Sequence, residues 1–489
     1  MNSIHLKYLN EVHCRVECEA GLLMELSDHL TFKAENYKFH PKYKAKIWDG
    51  NISLVNRMNR QVYMGLAHRI KKFCDERKYD FTFDDEFLYE NVSEHELKEF
   101  VARLEIPAKF EQRDYQFQSI LKCIRSRRRT LLSPTSSGKS LMIYIITNWA
   151  MLKRNVNKSL IIVPTIGLVT QMESDFRDYG FTGNISTSIG GLDKSNNIDA
   201  DVVITTWQSL NNGKSKMPKS WYQQFGCVFG DEAHGCKATS LIQILSSLEN
   251  CRYRFGTTGT LDGQLLNEAT ITGLFGATYK SISTRELMDQ GYVTKLKIKC
   301  IVLKYPDEVA KKLRGASYDE EVKFLTTYAP RNNFIKNLAL SLKGNKLVFF
   351  RLTDHGKELH RVISDETDHN VFYIDGSVSG EVRESIRHAI EDEENAVLVA
   401  SLGTTSTGVS INKLHHMIAA SPSKSKIKVL QSIGRMLRKH SSKDEAVLYD
   451  IVDDLSIKSH KNFTLRHFLE RIKIYAAEKF HFKIYNVRI

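Results

Sequence analysis

The hydrophobic positions of this 489-residue chain alternate between two patterns along most of its length. Short runs rich in Val, Ile and Phe, such as SLIIVPT, DVVITTW and GCVFGDE, have the length and composition of strands buried on both faces. A second series starts at NKLVFFRL and continues through NVFYIDG, AVLVASL, HHMIAAS and AVLYDIVD. Segments with a helical period separate these runs, and such alternation predicts parallel sheets covered on both sides. The chain is therefore predicted to be an α/β protein with two similar lobes in tandem.

Residues 1–90 have a different pattern. In FKAENYKFHPKYKAKIWDGNISLVNR, lysines such as Lys42 and Lys44 alternate with aromatic residues, and Trp-Asp-Gly at 48–50 has the composition of a turn. This pattern predicts a strand-turn-strand hairpin with ISLV as its return strand. Lysines that contact phosphates and rings that stack on bases would make it a nucleic-acid-binding element. The alternative is a small domain that buries its rings and leaves its lysines in solvent.

These patterns divide the chain into four predicted segments. They are a small α+β N-terminal domain at 1–90, a linker helix at 91–109, a first lobe at 110–297 and a second lobe at 298–489. In the linker, NVSEHELKEFVARL has the start signal of a capped helix, and Pro107 ends it. The terminal FTLRHFLERIKIYAAEKF is predicted to be a docking helix whose buried stripe is Leu465, Phe468, Leu469 and Ile472.

Composition indicates a class of partner. The chain has 70 Lys and Arg against 57 Asp and Glu, a formal net charge of +13 and a pI near 9.1. A basic excess of this size favours a polyanion, because Lys and Arg neutralise phosphates. No apolar stretch approaches the ~20 residues of a bilayer span, so no membrane partner is expected. The eight cysteines lack paired zinc-ligand spacing and fit reduced thiols in a cytoplasm.

The stretch TLLSPTSSGKSLMIYIIT joins a predicted strand to a predicted helix through Gly138, Lys139 and Ser140. Backbone N–H groups at such a helix start bind phosphate, so the stretch predicts a nucleotide site. Lys139 is predicted to contact the β- and γ-phosphates, and Ser140 to ligate Mg²⁺. The other loop residues are Pro134, Thr135, Ser136 and Ser137. Ser133 and Ser136 stand where related patterns have Gly, so the match is imperfect on its own.

GDEAHG places two carboxylates at the end of another predicted buried strand. Hydrolysis of ATP needs one acidic group for the Mg²⁺ shell and another that orients the attacking water. Asp231 is predicted to hold Mg²⁺, and Glu232 to act as the base. A surface turn would account for the acidic pair but not for its place after a buried strand. Together with the phosphate loop, this motif predicts an ATPase with ATP and Mg²⁺ as cofactors.

The order of further motifs resembles that of the superfamily-two helicases and translocases. FEQRDYQFQSI resembles their adenine-recognition motif, VPTIGLVTQ and ITTWQSL resemble two strand-gripping motifs, and TTGT stands where the family has Ser-Ala-Thr. In the second lobe, TTSTGVSI and QSIGRMLRK resemble the fifth and sixth motifs. The resemblance extends from about Phe110 to the C terminus, and it implies two RecA-like lobes of the P-loop NTPase class with a DEAH box.

The resemblance also implies roles for single residues. The implied nucleotide contacts are Phe110, Arg113, Gln116, Gly408 and Gln431. The implied contacts to the nucleic-acid backbone are Thr165, Thr206, Arg351 and Thr407. Arg435 and Arg438 are the implied catalytic arginines; three positions apart on a helix, both would point the same way, toward the γ-phosphate. The planar charge of arginine suits a transferring phosphoryl group.

The whole chain, including its N-terminal lysines and aromatic residues, resembles a type of helicase found in T-even bacteriophages. That resemblance implies an ATP-dependent DNA helicase that remodels forks, Holliday junctions and R-loops in recombination, repair and replication, in the host-cell cytoplasm. Its implied partners are branched, single-stranded or duplex DNA and RNA–DNA hybrids, bound by a monomer. Two alternatives stay open: an RNA helicase of the same fold, and a strand-annealing protein with an accessory ATPase.

Two remaining motifs have structural rather than functional interpretations. Asp307 with Glu321 and Lys323 matches the loose spacing of metal-dependent nucleases, but the surrounding sequence predicts charged helices instead of strands. The run RSRRR before the phosphate-loop strand is predicted to be a solvated helix end, with contact to nucleic acid as the alternative.

Overall fold

The computed structural model describes residues 3–188, 199–211, 217–236, 238–402, 411–421 and 425–489, without the side chains of residues 426–428, 431 and 435. The chain divides into two compact units, residues 1–133 with 138–281 and residues 134–137 with 282–489. Among the described residues, no helix combines the length and the apolar character that a bilayer span requires.

The N-terminal part of the first unit is built on a mixed sheet with the strand order β5-β6-β2-β1-β7. Its strands are β1 (Ser3–Tyr8), β2 (His13–Glu17), β5 (Val55–Asn56), β6 (Gln61–Tyr63) and β7 (Asp80–Phe83), and β3 (Thr31–Lys33) pairs separately with β4 (Asn51–Ser53). The helices are α1 (Ala20–His29), α2 (Pro41–Lys44) and α3 (Ala67–Arg77), followed by α4 (Glu94–Arg103). Alternate residues of β1, Ile4 and Leu6, are buried, so one face of the sheet carries the core.

The predicted N-terminal hairpin is confirmed only in part. β3 and β4 pair antiparallel, so the return strand lies in the expected segment. The connection contains helical turns, including α2, and the tight turn predicted at 48–50 is wrong. Gly50 has φ +81°, and a Cβ there would collide with the ring of Tyr37. Packing of this ring on the glycine favours a compact loop over an extended ribbon.

The first lobe is a parallel sheet with the order β10-β11-β9-β12-β13-β8-β14. Its strands are β8 (Arg128–Leu132), β9 (Lys158–Val163), β10 (Ile185–Ser188), β11 (Val202–Thr206), β12 (Phe225–Asp231), β13 (Tyr253–Thr258) and β14 (Thr278–Lys280). Its helices are α5 (Asp114–Ser126), α6 (Lys139–Arg154), α7 (Ile166–Asp178), α8 (Trp207–Leu210), α9 (Lys219–Tyr222), α10 (Thr239–Ser246) and α11 (Leu265–Phe275). Because parallel strands end at the same edge, the segments after β8, β12 and β13 are neighbours.

The second lobe is another parallel sheet, with the order β17-β18-β16-β19-β20-β15-β21. Its strands are β15 (Lys295–Lys304), β16 (Lys346–Phe350), β17 (Val371–Ile374), β18 (Val397–Ser401), β19 (His416–Ala419), β20 (Glu445–Asp454) and β21 (Phe482–Arg488). The helices are α12 (Thr284–Asp289), α13 (Asp307–Lys312), α14 (Tyr318–Thr327), α15 (Ala329–Ser341), α16 (Thr353–Ser364), α17 (Gly380–Asp392), α18 (Lys426–Met436) and α19 (Phe463–Ala477). Two parallel sheets after a small mixed domain confirm the predicted fold class.

The arginine run before β8 is not a solvated helix end, so that prediction is wrong. Arg127 is 7% exposed and donates hydrogen bonds to the backbone carbonyls of Glu86 and Leu88, both at 2.5 Å. Arg128 donates to the carboxylate of Glu11 at 2.5 Å and to its carbonyl at 3.1 Å. The N-terminal segment supplies all these acceptors. The arginines therefore hold that segment against the first lobe.

In the second unit, one prediction changes and another agrees with the structure. The terminal helix α19 is confirmed, but Leu469 of its predicted stripe is 38% exposed, and the buried Arg471 points inward instead. Arg471 binds both carboxylate oxygens of Asp450 on β20 at 2.8 Å, since a buried carboxylate needs donors from the helix that covers it. Asp307 and Glu321 of the nuclease-like pattern lie on α13 and α14, as predicted for charged helices.

Glu321 has a structural role. Glu321 is 3% exposed, and its carboxylate accepts hydrogen bonds from the backbone N–H groups of Phe463 and Thr464 at 2.9 and 2.8 Å. The amide of Asn462 donates to the same carboxylate at 2.8 Å. The first N–H groups of α19 have no acceptors within the helix, so Glu321 satisfies them.

Candidate nucleotide and nucleic-acid sites

The predicted phosphate loop connects the carboxyl end of β8 to the start of α6. Because α6 begins at Lys139, its first N–H groups have no acceptor within the helix, which is the arrangement that binds anions at helix starts. Gly138 has φ +75°, and a Cβ there would collide with Nε2 of Gln116. Ser136 also has a positive φ, of +66°, which accounts for the Gly that related patterns have at this position. Within the loop, Ser137 donates to the carbonyl of Pro134 at 2.7 Å.

The two predicted catalytic carboxylates lie at the same edge of the sheet. Asp231 is the last residue of β12, and its Oδ1 accepts a hydrogen bond from Oγ1 of Thr257 on β13 at 2.5 Å. Glu232 follows with φ +52°, a left-handed conformation that costs a non-glycine residue about 1 kcal/mol or more. Its Oε1 lies 3.5 Å from Nζ of Lys139. The structure therefore brings the phosphate-loop lysine and the predicted base together.

Burial acts differently on the two acids. It raises the pKa of Asp231, and Lys139 offsets only part of that effect. Burial also acts to raise the pKa of Glu232, but Lys139 and His234 outweigh it and bring the pKa to about 2. Glu232 is therefore ionised at neutral pH, whereas the carboxylate of Asp231 is the one that a nearby cation would stabilise most.

The residues present fit Mg²⁺ bound together with a nucleotide. Ser140 at the start of α6 and Asp231 supply hydroxyl and carboxylate oxygens, the ligand types that Mg²⁺ prefers. Magnesium is usually held by one or two protein groups together with phosphate oxygens and water. No cluster of three or more His, Cys, Asp or Glu side chains suited to a metal occurs in the described part of the chain. A shared metal–nucleotide site agrees with that donor set.

His234 connects the carboxylates to the TTGT segment. Its Nδ1 lies 3.2 Å from Oε2 of Glu232 and 3.0 Å from Oγ1 of Thr258, the last residue of β13. The side chain of Asn267 on α11 donates to the carbonyl of His234 at 3.3 Å. The sequence indicated TTGT by resemblance only. The contacts of His234 place this segment next to Glu232.

The predicted adenine-recognition residues lie next to the phosphate loop. Gln116 is 2% exposed, and its Oε1 accepts a hydrogen bond from the backbone N–H of Arg113 at 2.9 Å, which caps α5. Phe110 is half-buried and packs edge-to-face on Tyr179, with ring centroids 4.8 Å apart. Gln116 also packs against Gly138, so the segments predicted to bind base and phosphate are adjacent.

Tyr179 is a residue of this site that the sequence did not indicate. Its hydroxyl lies 2.9 Å from Oγ of Ser140, and its ring contacts Phe110 and Tyr144. The residue is 7% exposed, and burial raises the pKa of its hydroxyl to about 12, so it is protonated at neutral pH. It follows α7, 39 residues beyond Ser140, and no spacing rule relates the two positions.

The predicted nucleotide contacts of the second unit are described only in part. Gly408 lies outside the described residues, as do the side chains of Gln431 and Arg435 and the predicted nucleic-acid contact Thr407. Arg438 is half-buried and lies beyond the end of α18, so the prediction that both arginines share one helix face is wrong. The helix ends at Met436, whose carbonyl accepts from Nζ of Lys443 at 2.8 Å. The carbonyl of Arg438 accepts from the hydroxyl of Thr294 at 3.1 Å, which fixes the chain in a non-helical course.

The predicted nucleic-acid contacts differ in exposure. Arg351 follows β16 and is exposed, and Thr165 is half-buried at the start of α7. Thr206 is 4% exposed, and its hydroxyl caps α8. Lys42 and Lys44 are exposed on α2. Arg351 and the two lysines therefore present charge at the surface, whereas the side chain of Thr206 serves the local fold.

Comparison with known proteins identifies three family matches in chain order. The family described as "DNA helicase UvsW, N-terminal" matches residues 3–84. "Type III restriction enzyme, res subunit" matches residues 109–263, and "Helicase conserved C-terminal domain" matches residues 331–440.

Individual relatives agree with these matches. The chain is 39% identical to the ATP-dependent DNA helicase uvsW of Enterobacteria phage T4, with 98% of each chain covered. The crystal structure of T4 UvsW is similar with a TM-score of 0.52 at 36% identity, and 99% of each chain is covered. The DNA 3'-5' translocase XPB2 of Sulfurisphaera tokodaii is 26% identical over 52% of each chain. The chain therefore belongs to the UvsW family of superfamily-two helicases, and it is an ATP-dependent DNA helicase whose ATPase depends on nucleic acid.

Proposed function

We propose that this helicase remodels branched DNA and RNA–DNA hybrids, namely forks, Holliday junctions and R-loops, in recombination, repair and replication. The observation that carries the proposal is the full-length likeness to T4 UvsW, which includes the N-terminal domain at residues 3–84. Arg128 binds that domain to the first lobe through Glu11, and Arg127 binds the segment that follows it through the carbonyls of Glu86 and Leu88. A domain attached in this way can select among DNA shapes while the lobes supply the motor. The chain acts as a monomer in the cytoplasm of the phage host.

In the proposed ATPase site, Lys139 binds the β- and γ-phosphates, and the N–H groups at the start of α6 bind the same group. Ser140 and Asp231 hold Mg²⁺, which when bound neutralises charge on the phosphates. Glu232 orients the attacking water and accepts its proton, consistent with its ionised carboxylate. The remaining nucleotide contacts are Phe110, Arg113, Gln116, Pro134, Thr135, Ser136, Ser137, Gly138, Gly408 and Gln431. Arg435 and Arg438 contact the γ-phosphoryl group from the second lobe.

The proposed DNA contacts belong to two classes. Those of the motor are Thr165, Thr206, Arg351 and Thr407, of which Arg351 is exposed. Those of the N-terminal domain are Lys42 and Lys44, whose ammonium groups are free to approach phosphates from α2. Neither class reads base identity, because hydroxyl, guanidinium and ammonium groups bind the backbone. Preference for a junction must then come from shape, through the relative positions of several backbone contacts.

The proposal is tested by ATPase stimulation with single-stranded, duplex, forked, four-way and RNA–DNA hybrid ligands of equal length. We expect forks, four-way junctions and hybrids to stimulate at lower concentrations than plain duplex. Lys42→Ala with Lys44→Ala should remove that difference, whereas Lys72→Ala, on α3, should not. Equal stimulation by every ligand would contradict the proposed substrates without affecting the ATPase. Deleting residues 1–90 is a poorer test, because it would remove the acceptors of Arg127 and Arg128 and expose the surface of the first lobe that this segment covers.

A second variant separates the motor from strand annealing. Glu232→Gln keeps the shape of the side chain but removes its charge, so hydrolysis and unwinding should both fall at least 100-fold. If the variant still pairs complementary strands at the wild-type rate while it unwinds nothing, annealing is an activity of its own. Unwinding that survives the loss of hydrolysis would contradict the assigned role of Glu232.

A further inference from the structure

A cavity of about 430 Å³ lies inside the first unit, where the N-terminal domain meets the beginning of β8. One wall consists of aromatic side chains on β7 and on the segment that follows it, namely Phe81, Phe83, Phe87 and Tyr89. The lining also includes Arg129, on β8. The volume is within the range of cavities that hold small ligands, roughly 300–1,000 Å³.

The aromatic wall is partly open to solvent. Phe83 is 39% exposed and Tyr89 is 69% exposed. The Phe83 ring centroid lies 5.8 Å from that of Phe81 and 5.9 Å from that of Phe87, so the rings form one continuous apolar surface. Exposed apolar surface that adjoins a cavity marks a binding site more often than scattered exposed residues do.

The basic lining differs in how its charges are satisfied. Lys71 forms an ion pair with Asp75 at 2.9 Å, and Arg128 forms one with Glu11 at 2.5 Å. Nε of Arg129 donates to the hydroxyl of a serine, Ser126, at 3.3 Å, and no carboxylate in the described part of the chain forms an ion pair with it. Arg127 also lines the cavity, but it is 7% exposed and its guanidinium donates to the carbonyls of Glu86 and Leu88. Arg129 is half-buried, so of these two arginines its charge is the more accessible to an anionic ligand.

The cavity is remote from the nucleotide site. Arg129 lies near the beginning of β8, and the phosphate loop follows the end of this five-residue strand. At ~3.3 Å per residue, the strand separates the two sites by roughly 16 Å. A ligand in the cavity is thus at the opposite edge of the sheet from the carboxyl ends, where the motor contacts are proposed.

We propose that this cavity is a second DNA site, which binds unpaired nucleotides of the substrate. Bases pack on the rings of Phe83 and Tyr89, and a phosphate binds Arg129. DNA is favoured over an acidic protein segment, because four lining side chains are aromatic and every base has a face that stacks on a ring. A strand held here is not the strand that the lobes grip, so the site holds the displaced strand apart from its complement. This function goes beyond the motor and does not depend on a particular junction type.

The test uses the full-length protein and a forked DNA with 5-iodouracil in one unpaired arm. Irradiation should crosslink that arm to a peptide containing Phe83 or Tyr89. Arg129→Gln combined with Phe83→Ala should weaken fork binding about 10-fold, since stacking of one base is worth roughly that factor or more. ATPase stimulation by a saturating short single strand should stay at the wild-type level. Lys72→Gln and Tyr485→Ala, at exposed positions outside the lining, are matched controls and should bind forks normally.

Three results would overturn the proposal. The first is a set of crosslinks that lie only in other segments. The second is wild-type fork affinity in the double variant. The third is a (Glu-Phe)₄ peptide that binds in the cavity without displacing DNA from the protein. The last would assign the cavity to a protein partner. Thermal unfolding of each variant shows whether it is folded. Tyr89→Ala, at the more exposed ring, serves in place of Phe83→Ala if that variant is unstable, with the same expected loss of fork affinity.

Discussion

Thr257→Val tests whether the orientation of the Asp231 carboxylate contributes to Mg²⁺ binding. Thr257 is fully buried, and its hydroxyl donates to Oδ1 of Asp231 at 2.5 Å. Valine has nearly the same shape, so the substitution removes the hydrogen bond with little change in packing. A hydrogen bond to a charged group contributes roughly 1.5–3 kcal/mol. At 1.36 kcal/mol per tenfold change, its loss corresponds to roughly a 10- to 150-fold effect.

The assay is calorimetric binding of ADP with and without Mg²⁺. Without its hydrogen bond, the buried carboxylate is less well oriented for a metal, so ADP affinity with Mg²⁺ should fall at least 10-fold. Affinity without Mg²⁺ should change little. Thr270→Val is the control, because Thr270 is also buried, at 7% exposure, and donates only to the carbonyl of Leu266 within its own helix. Equal Mg²⁺ dependence in Thr257→Val and the wild type would refute the role assigned to Asp231.

Three further substitutions test other contacts. Tyr179→Phe removes the hydroxyl 2.9 Å from Ser140, so ADP affinity with Mg²⁺ should fall about 10-fold in calorimetry, with no change in its absence. Glu11→Ala leaves Arg128 without its carboxylate partner, so urea unfolding should show a loss of about 3 kcal/mol in the free energy of unfolding. This value is at the low end for a buried ion pair, because both side chains keep slight exposure. Burial lowers the pKa of Lys443 from 10.5 to about 8 in the folded protein. Between pH 8 and 10.5, the unfolded chain therefore binds a proton at Lys443 more tightly than the folded protein does. The free energy of unfolding should therefore rise as pH increases from 8 to 10.5, and Lys443→Met should abolish that rise in urea titrations.

Each of these three substitutions has its own control. Tyr144→Phe removes a hydroxyl from a neighbouring buried ring, and equal losses in both tyrosine variants would indicate packing rather than contact with Ser140. Glu17→Ala breaks a surface pair with Lys7 and should cost less than about 1 kcal/mol. If Glu11→Ala costs no more than that, the buried pair does not anchor the N-terminal domain. A pH dependence that persists in Lys443→Met would belong to another group.

Local patterns were sufficient for the strands, the sheets and the nucleotide loop. A buried parallel strand must be apolar at nearly every position, so runs such as SLIIVPT indicated β9 without further information. Gly138, Lys139 and Ser140 are adjacent in sequence, and the strand before them and the helix after them place their backbone. Asp231 was predictable for the same reason, as the end of a buried strand. Motif order extended these predictions to the family.

Contacts between distant segments were decided only by tertiary structure. The sequence predicted a solvated run at Arg127 and Arg128, but in the folded chain residues 1–90 supply hydrogen-bond acceptors for both. Tyr179 contacts Ser140 only because α6 and α7 pack side by side. The carbonyl of Met436, at the end of α18, accepts a hydrogen bond from the amine of Lys443. In each case a polar group loses water on burial and must find a partner in the folded chain. Which partner it finds depends on packing, and no local pattern encodes that choice.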